Sequence, residues 1–334
     1  RSDIRVPMTQ QSPVIDVHAH IVFEALHGAA GPYGPEAGVD EHGVDYFRIG
    51  EYELKPLSYA GSVFVDMALR LQHMDRLGID VQVLSANPLT MFHGIDASTA
   101  ISFCQRQNDL MASAIAEHPN RLLGLCSLPM QSITASCHEL ERAVKDLGLS
   151  GVAIGTDFPG GFANPQLDPL YEALVALNVP LFVHPSSTDG VGGLADPRLG
   201  AHALSLSLGY AYEETLAVAS IIMGGVLDRH PLLDICFSHG GGCVSFLAEK
   251  FEQMAHFDGA VSDGVKQNGF SAELGRLWFD SHVKGARSRQ LLWESVNHER
   301  LVFGTNLGGF DTPEVLGDEA ALLADNAKKL LRLT

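Results

Sequence analysis

Positive charge is what this sequence has least of. Its 22 Lys+Arg stand against 40 Asp+Glu, a formal net charge of −18 over 334 residues. A surface that acidic repels phosphate backbones and anionic lipid headgroups, which argues against nucleic-acid or membrane-surface partners. A small anionic substrate is compatible with it only where a few basic residues are focused in a cleft. No apolar run reaches the ~20 residues that span a bilayer. Cysteine is scarce and odd in number (Cys104, Cys126, Cys137, Cys236 and Cys243), and no CxxC occurs. Buried, reduced thiols in a cytoplasmic protein fit that pattern better than a disulfide framework. Residues 1–7, ahead of Met8, lack the apolar core and cleavage site of a signal peptide. They read as an appended leader, with one domain over 8–334.

Short apolar, β-branched runs alternate with helix-period segments about eight times along the chain. The strand-like runs fall at 14–17, 81–85, 122–128, 151–154, 180–183, 233–237, 277–280 and 301–304. Helical patterns fall at 63–77, 97–117, 132–147, 167–177, 212–227 and 314–331. Such alternation gives parallel strands with right-handed crossovers, and eight units close a barrel. An open, doubly wound sheet is the rival, but no GxGxxG follows the first strand to bind a dinucleotide. A Gly/Pro-rich stretch from about 28 to 61 is too long for an ordinary loop and reads as a lid-like insertion.

Of fifteen histidines, position singles out four. His18 and His20 flank Ala19 at the end of the first run, and side chains at i and i+2 of a strand point the same way. His184 and His239 follow the fifth and sixth runs. Strand C-termini of a barrel open onto one face, where active sites sit. Four imidazoles there suit a borderline divalent ion such as zinc, with an open position for water or substrate.

The segments VIDVHAH, RLQHMDRLGIDVQVLS, LPMQ, GVAIGT, PLFVHP, MGGVLDRHPLLDICFSHGGG, WFD and LVFGTN, in this order, resemble the amidohydrolase-superfamily branch that contains aminocarboxymuconate semialdehyde decarboxylase. The resemblance runs from about residue 14 to the last helix. It implies a distorted (β/α)8 TIM barrel with an insertion after the first strand, and one divalent metal, zinc or, as second choice, manganese. It assigns His18, His20 and His184 to the metal and makes His239 the acid/base. Arg70 would hold a substrate carboxylate. A homodimer or dimer-based oligomer is implied, with Lys250 in place of the family's cross-subunit arginine, losing the bidentate fork.

Position 306 departs from the family, which carries an acid after the eighth strand to bind metal or move a proton. Asn306 offers a carbonyl oxygen to a metal or to catalysis but takes up no proton. Either an Asp was changed to Asn here, or the function has moved, with Asp311 and Asp280 as the nearest candidates. Asp16 is expected to orient backbone or a ligand histidine. Asn87, Phe92, His282, Phe158 and Phe310 are expected to line the pocket, His282 with a surface position as its alternative. His73, His118, His138, His230 and His298 are expected in solvent. Gly240-Gly241-Gly242 either cradles an anion or allows close packing beside His239.

These expectations converge on a metal-dependent, non-oxidative decarboxylase of an aromatic, heteroaromatic or muconate-like acid. The rival is a hydrolase or hydratase acting on a ring-cleavage product or cyclic amide through metal-bound hydroxide. An inactive metal-binding paralogue is the third reading.

Overall fold

The computed structural model describes residues 12–158, 160–186, 196–257, 261–309, 312–317 and 319–333. The leader, Phe310 and Asp311 lie outside the described residues. The chain runs β1 (Ile15–Ile21), then a three-stranded antiparallel sheet β2 (Glu36–Val39), β3 (Asp45–Ile49) and β4 (Tyr52–Leu54). There follow β5 (Val81–Ala86), β6 (Leu122–Cys126), β7 (Gly151–Gly155), β8 (Leu181–His184), β9 (Ile235–Phe237), β10 (Trp278–Asp280) and β11 (Leu301–Val302). β1 and β5–β11 pair in parallel and in chain order as an 8-stranded sheet. The ends meet beyond β11, where Val17 N donates to Phe303 O at 2.9 Å and His20 N to Leu307 O at 2.8 Å. A single bridge, Ala19 to Leu307, replaces a full ladder there. This is the distorted (β/α)8 barrel.

Crossover helices α1 (Met67–Leu77), α2 (Ala97–Ala116), α3 (Ile133–Lys145), α4 (Asp168–Leu177) and α5 (Tyr210–Met223) cover the outside. Side-chain caps start the first three: Asp66, Asp96 and Ser132 accept from backbone N–H groups of the first turn. Gly78, at φ 75°, stops α1. Alternate strand residues fill the barrel interior, with Ile15, Val17, Val83, Leu125 and Ala153 packed together with Trp278. Burial of each large side chain contributes about 1.5–3 kcal/mol.

Asp16, at 0% exposure, ties three strands together below the site. It accepts from His18 N at 3.1 Å, Gln82 Nε2 at 2.7 Å, and Thr305 N and Oγ1 at 2.9 and 2.7 Å. The β1–β5 register shifts between Asp16 and Ala19, a bulge next to the metal-ligand candidates.

Several expectations need correction. The first strand, read as 14–17 closing on His18 and His20, runs Ile15–Ile21 with both histidines inside it. The stretch 28–61 contains a sheet of its own. Phe47 and Ile49 of β3, with Tyr59, pack against Val22, Leu26 and Phe92, so the insertion has an apolar seat on the barrel. The last helix is two pieces, Glu319–Leu322 and Ala324–Leu331, and helices at Val244–Met254 and Ala286–Ser295 escape the sequence reading. His230 is buried, bonded to Asp168 Oδ1 at 2.9 Å, and His73 and His118 are half-buried, whereas His138 and His298 are exposed. The five cysteines are free thiols, but only Cys104, Cys126 and Cys236 are fully buried. Among the described residues no helix is long and apolar enough to cross a membrane.

Candidate metal centre

His18 and His20 project from β1 with their Nε2 atoms 3.2 Å apart. Both rings are anchored by the other nitrogen. His18 Nδ1 lies 2.6 Å from Asp280 Oδ2, and His20 Nδ1 lies 3.0 Å from Ser85 Oγ, whose hydroxyl donates to Ala19 O. At the end of β8, His184 Nδ1 donates to Pro185 O at 2.9 Å, and its buried Nε2 has no hydrogen-bond partner. A carboxylate, a committed hydroxyl and a carbonyl all accept, so each Nδ1 carries the proton and each Nε2 presents a lone pair.

Two lone pairs facing each other at 3.2 Å repel unless a cation joins them. Two nitrogens bound tetrahedrally to one zinc at about 2.0–2.1 Å sit about 3.3 Å apart, so the spacing fits. A cavity of about 20 Å³, room for one ion or water, lies among His18, His20, Ser85, His184 and Asp280. Ring nitrogens of His18, His184 and His239 lie within 4.8 Å of one another. Burial, the largest cause, pushes His18 down to about 4 and His20 and His184 well below the usual imidazole range. Neutral rings at neutral pH are what metal ligation requires. A larger cavity of about 320 Å³ opens at the other end of the strands, lined by Arg276, Arg300 and Arg332, and no histidine lines it. The chemistry lies with the small one.

His239 stands beside this group, its ring centroid 4.9 Å from His18 and 5.1 Å from His184. It has φ 45°, and Gly240, Gly241 and Gly242 follow at 63°, 72° and 69°. A Cβ on Gly242 would lie 2.2 Å from Ala211 O, and one on Gly241 2.7 Å from Phe279. The glycines therefore serve close packing that fixes the His239 turn, the second of the two readings made from sequence. His282 joins the cluster, 5.7 Å from His239 between centroids. It is buried rather than at the surface.

The remaining candidates lie differently. Arg70 is 0% exposed and bonds Gln82 Oε1 at 2.7 Å and His20 O at 2.5 Å. As placed, its guanidinium braces the backbone behind His20 and offers a substrate no accessible fork. Asn87 caps the short turn Pro88–Thr90 and donates to Tyr59 OH at 3.1 Å. Phe92 packs edge-on to Phe103, 4.9 Å between centroids, in the cluster that seats the insertion. Phe158 packs on Phe162 and His93. Lys250 is exposed on the helix Val244–Met254. Asn306 is buried at φ 54°, its amide against Gly309, where a Cβ would meet it at 2.3 Å. Of the two acids offered in its place, Asp280 is in the cluster through His18.

Sequence reasoning missed Ser85 and Glu214. Ser85 closes a strand that pairs with His20 in register, a signal that only topology supplies. Glu214 sits on the buried face of α5 among Thr215, Ala217 and Val218; an acid inside an apolar stripe was the available clue.

The amidohydrolase family model matches residues 15–333. The chain is 32% identical over 254 residues to 2-amino-3-carboxymuconate-6-semialdehyde decarboxylase of Dictyostelium discoideum, covering 76% of this chain and 68% of that one. It is 29% identical over 253 residues to 2-keto-4-carboxy-3-hexenedioate hydratase of Sphingobium sp., covering 72% and 69%. Its fold matches the dihydroxybenzoic acid decarboxylase of Polaromonas sp. JS666, with bound manganese and an inhibitor, at TM-score 0.75 and 19% identity over 96% of this chain and 97% of that one. The convergent histidines on a barrel of this topology and these similarities lead to one conclusion: the chain belongs to the amidohydrolase family, on the branch that holds the aminocarboxymuconate semialdehyde decarboxylases.

Proposed function

We propose that this chain is a metal-dependent, non-oxidative decarboxylase, a carboxy-lyase, of an aromatic, heteroaromatic or muconate-like carboxylic acid. The observation that carries the reading is the facing pair of His18 and His20 Nε2 atoms, 3.2 Å apart, in a chain so similar to a decarboxylase. His18, His20 and His184 hold the ion, with the amide oxygen of Asn306 as a further donor. Zinc is the ion an all-imidazole set favours, and manganese, present in the Polaromonas neighbour, is the second. When bound, the metal supplies Lewis acidity toward a substrate oxygen. His239 moves the proton that replaces carbon dioxide, Asp280 holds the His18 ring in the ligating tautomer, and His282 contacts substrate. Asp311, two residues past the closing turn by chain order, is the remaining catalytic candidate.

The part assigned to Arg70 becomes indirect, through the His20 carbonyl it braces. Asn87 and Phe92 act through the wall that carries the insertion, which serves as the lid. Phe246, Lys250 and Met254 share one stripe of an exposed helix, and Phe246 is 78% and Met254 40% exposed. Leu208, Tyr212 and Leu216 form a second exposed stripe leading into and along α5. Covering both stripes in a homodimer places Lys250 at the partner's edge. The free thiols fit a reducing, cytoplasmic compartment.

The similarity to a Sphingobium hydratase favours a second reading, a hydratase or hydrolase acting on a ring-cleavage product or cyclic amide. Product mass separates the two over a panel of hydroxybenzoates, picolinates and muconates: loss of carbon dioxide against gain of water. Metal content is the prior test. One ion per chain, lost in His184→Ala together with activity, supports the site; a chain that takes up no zinc or manganese sinks it.

A further inference from the structure

We propose that Glu214 is the positioning residue of His239: its carboxylate grips the imidazole at Nδ1 and turns Nε2 to the histidine cluster. The inference rests on the reading of His239 as the group that moves the proton.

Glu214 is 0% exposed on α5, 25 residues before His239 in the chain. Its Oε1 lies 3.2 Å from His239 Nδ1 and accepts from Ser238 Oγ at 2.7 Å. Its Oε2 has no hydrogen-bond partner. A buried carboxylate with one orphan oxygen costs stability, so its presence asks for a compensating role. A tether for the turn alone is met by Oε1 and the serine. Of its two hydrogen-bond partners, Ser238 and His239, only the imidazole can take up a proton, and a proton arriving there lies beside the carboxylate.

The helix is built to deliver this contact. Ala211, Glu214 and Thr215 recur at helical spacing and all meet the 238–243 turn. Ala211 O lies where a Cβ of Gly242 would go, and Thr215 Oγ1 accepts from Cys243 N at 2.8 Å. With its backbone pinned at φ 45°, His239 retains freedom chiefly about its side-chain torsions. Glu214 removes that freedom and selects the tautomer with the proton on Nδ1, since a carboxylate only accepts.

The test separates tethering from simple structural support. Nitrogen-15 spectra of histidine-labelled, metal-free protein, with His239→Gln to assign the signal, read the tautomer directly. Wild type is expected to show His239 protonated at Nδ1, and Glu214→Ala a mixture of tautomers. On substrate, Glu214→Ala lowers kcat about 10- to 100-fold with KM and metal content little changed. Glu214→Gln, of the same shape, keeps the fold if the alanine variant does not, and loses a smaller part of kcat. Ser238→Ala removes the other tether of the carboxylate and leaves the His239 tautomer as in wild type. Spectra and kcat of both Glu214 variants equal to wild type overturn the proposal, as does a wild-type ring protonated at Nε2. A wild-type chain that releases no carbon dioxide sinks the decarboxylase reading instead, while the metal-free spectrum still decides the contact.

Discussion

Nδ1 of His18 and Oδ2 of Asp280 lie 2.6 Å apart, though the two residues stand 262 positions apart in the chain. Burial pushes the Asp280 carboxyl up, but its electrostatic attraction to the His18 ring and the hydrogen bond from Nδ1 outweigh it and hold the group below the usual carboxylate range. Asp280 also accepts from Gly240 N at 3.3 Å and His282 N at 3.0 Å, so one carboxylate holds the His18 ring, the turn after His239 and the backbone at His282. Asp280→Asn offers an amide in place of the anion. The variant is expected to bind zinc about 10- to 100-fold more weakly in chelator competition; unchanged affinity would remove Asp280 from the metal site.

Asn306→Asp introduces an anion at the position proposed as a further metal donor. Metal release to a chelator should slow, with affinity rising about tenfold or more. An affinity equal to wild type would mean that the side chain packed against Gly309 does not reach the ion.

Two glycines with nearly equal φ are expected to behave differently. Gly242→Ala, at φ 69°, drives a Cβ to 2.2 Å from Ala211 O, whereas Gly43→Ala, at φ 75°, meets nothing within 4 Å. Urea unfolding should show a loss of about 2–4 kcal/mol for the first and about 1 kcal/mol for the second. Equal losses would mean that the contact with α5 relaxes freely.

At the far end of the barrel, Asp234 accepts from Arg332 at 2.5 Å, Arg300 at 3.0 Å and Trp278 Nε1 at 2.7 Å. Burial pushes its carboxyl up, but the bonds from Arg332 and Trp278 prevail and hold it below its ordinary value. A carboxyl lowered on folding stabilises the protein above its unfolded pKa, and that contribution fades as pH falls through the folded value. Asp234→Asn should cost about 1–3 kcal/mol at pH 7, and the gap to wild type should narrow below about pH 4. A gap independent of pH would remove the charge from the account.

Much of the fold was legible because barrel strands are buried on both faces and read as short, nearly unbroken apolar runs, as Leu122–Cys126 does. The HxH pair was legible because period-two geometry puts both rings on one side. The insertion was harder. Its strands Glu36–Val39 and Tyr52–Leu54 are short and half-exposed, so neither shows a clean alternation. Arg70 looked like a substrate ligand because the family resemblance puts a carboxylate-binding arginine in the helix before the second strand, and sequence carries no sign that Gln82 and the His20 carbonyl take its donors. Glu214 was passed over for the opposite reason: an acid in a helix reads as a solvated face, and the apolar stripe around it is the one sign to the contrary.

The barrel's closure beyond β11 has a consequence for assembly. His18 and Asp280 come from opposite ends of the sequence, and Leu307 bonds back to β1 beside His18 and His20. During synthesis the HxH pair emerges long before its partners, so an ion met early finds two ligands of a set that does not yet exist. Tight metal uptake then belongs to the last stage of folding, after the final strand has docked on the first. Metal occupancy thereby becomes a readout of finished barrels, and a chain truncated ahead of the closing turn should be metal-poor even with every ligand histidine intact.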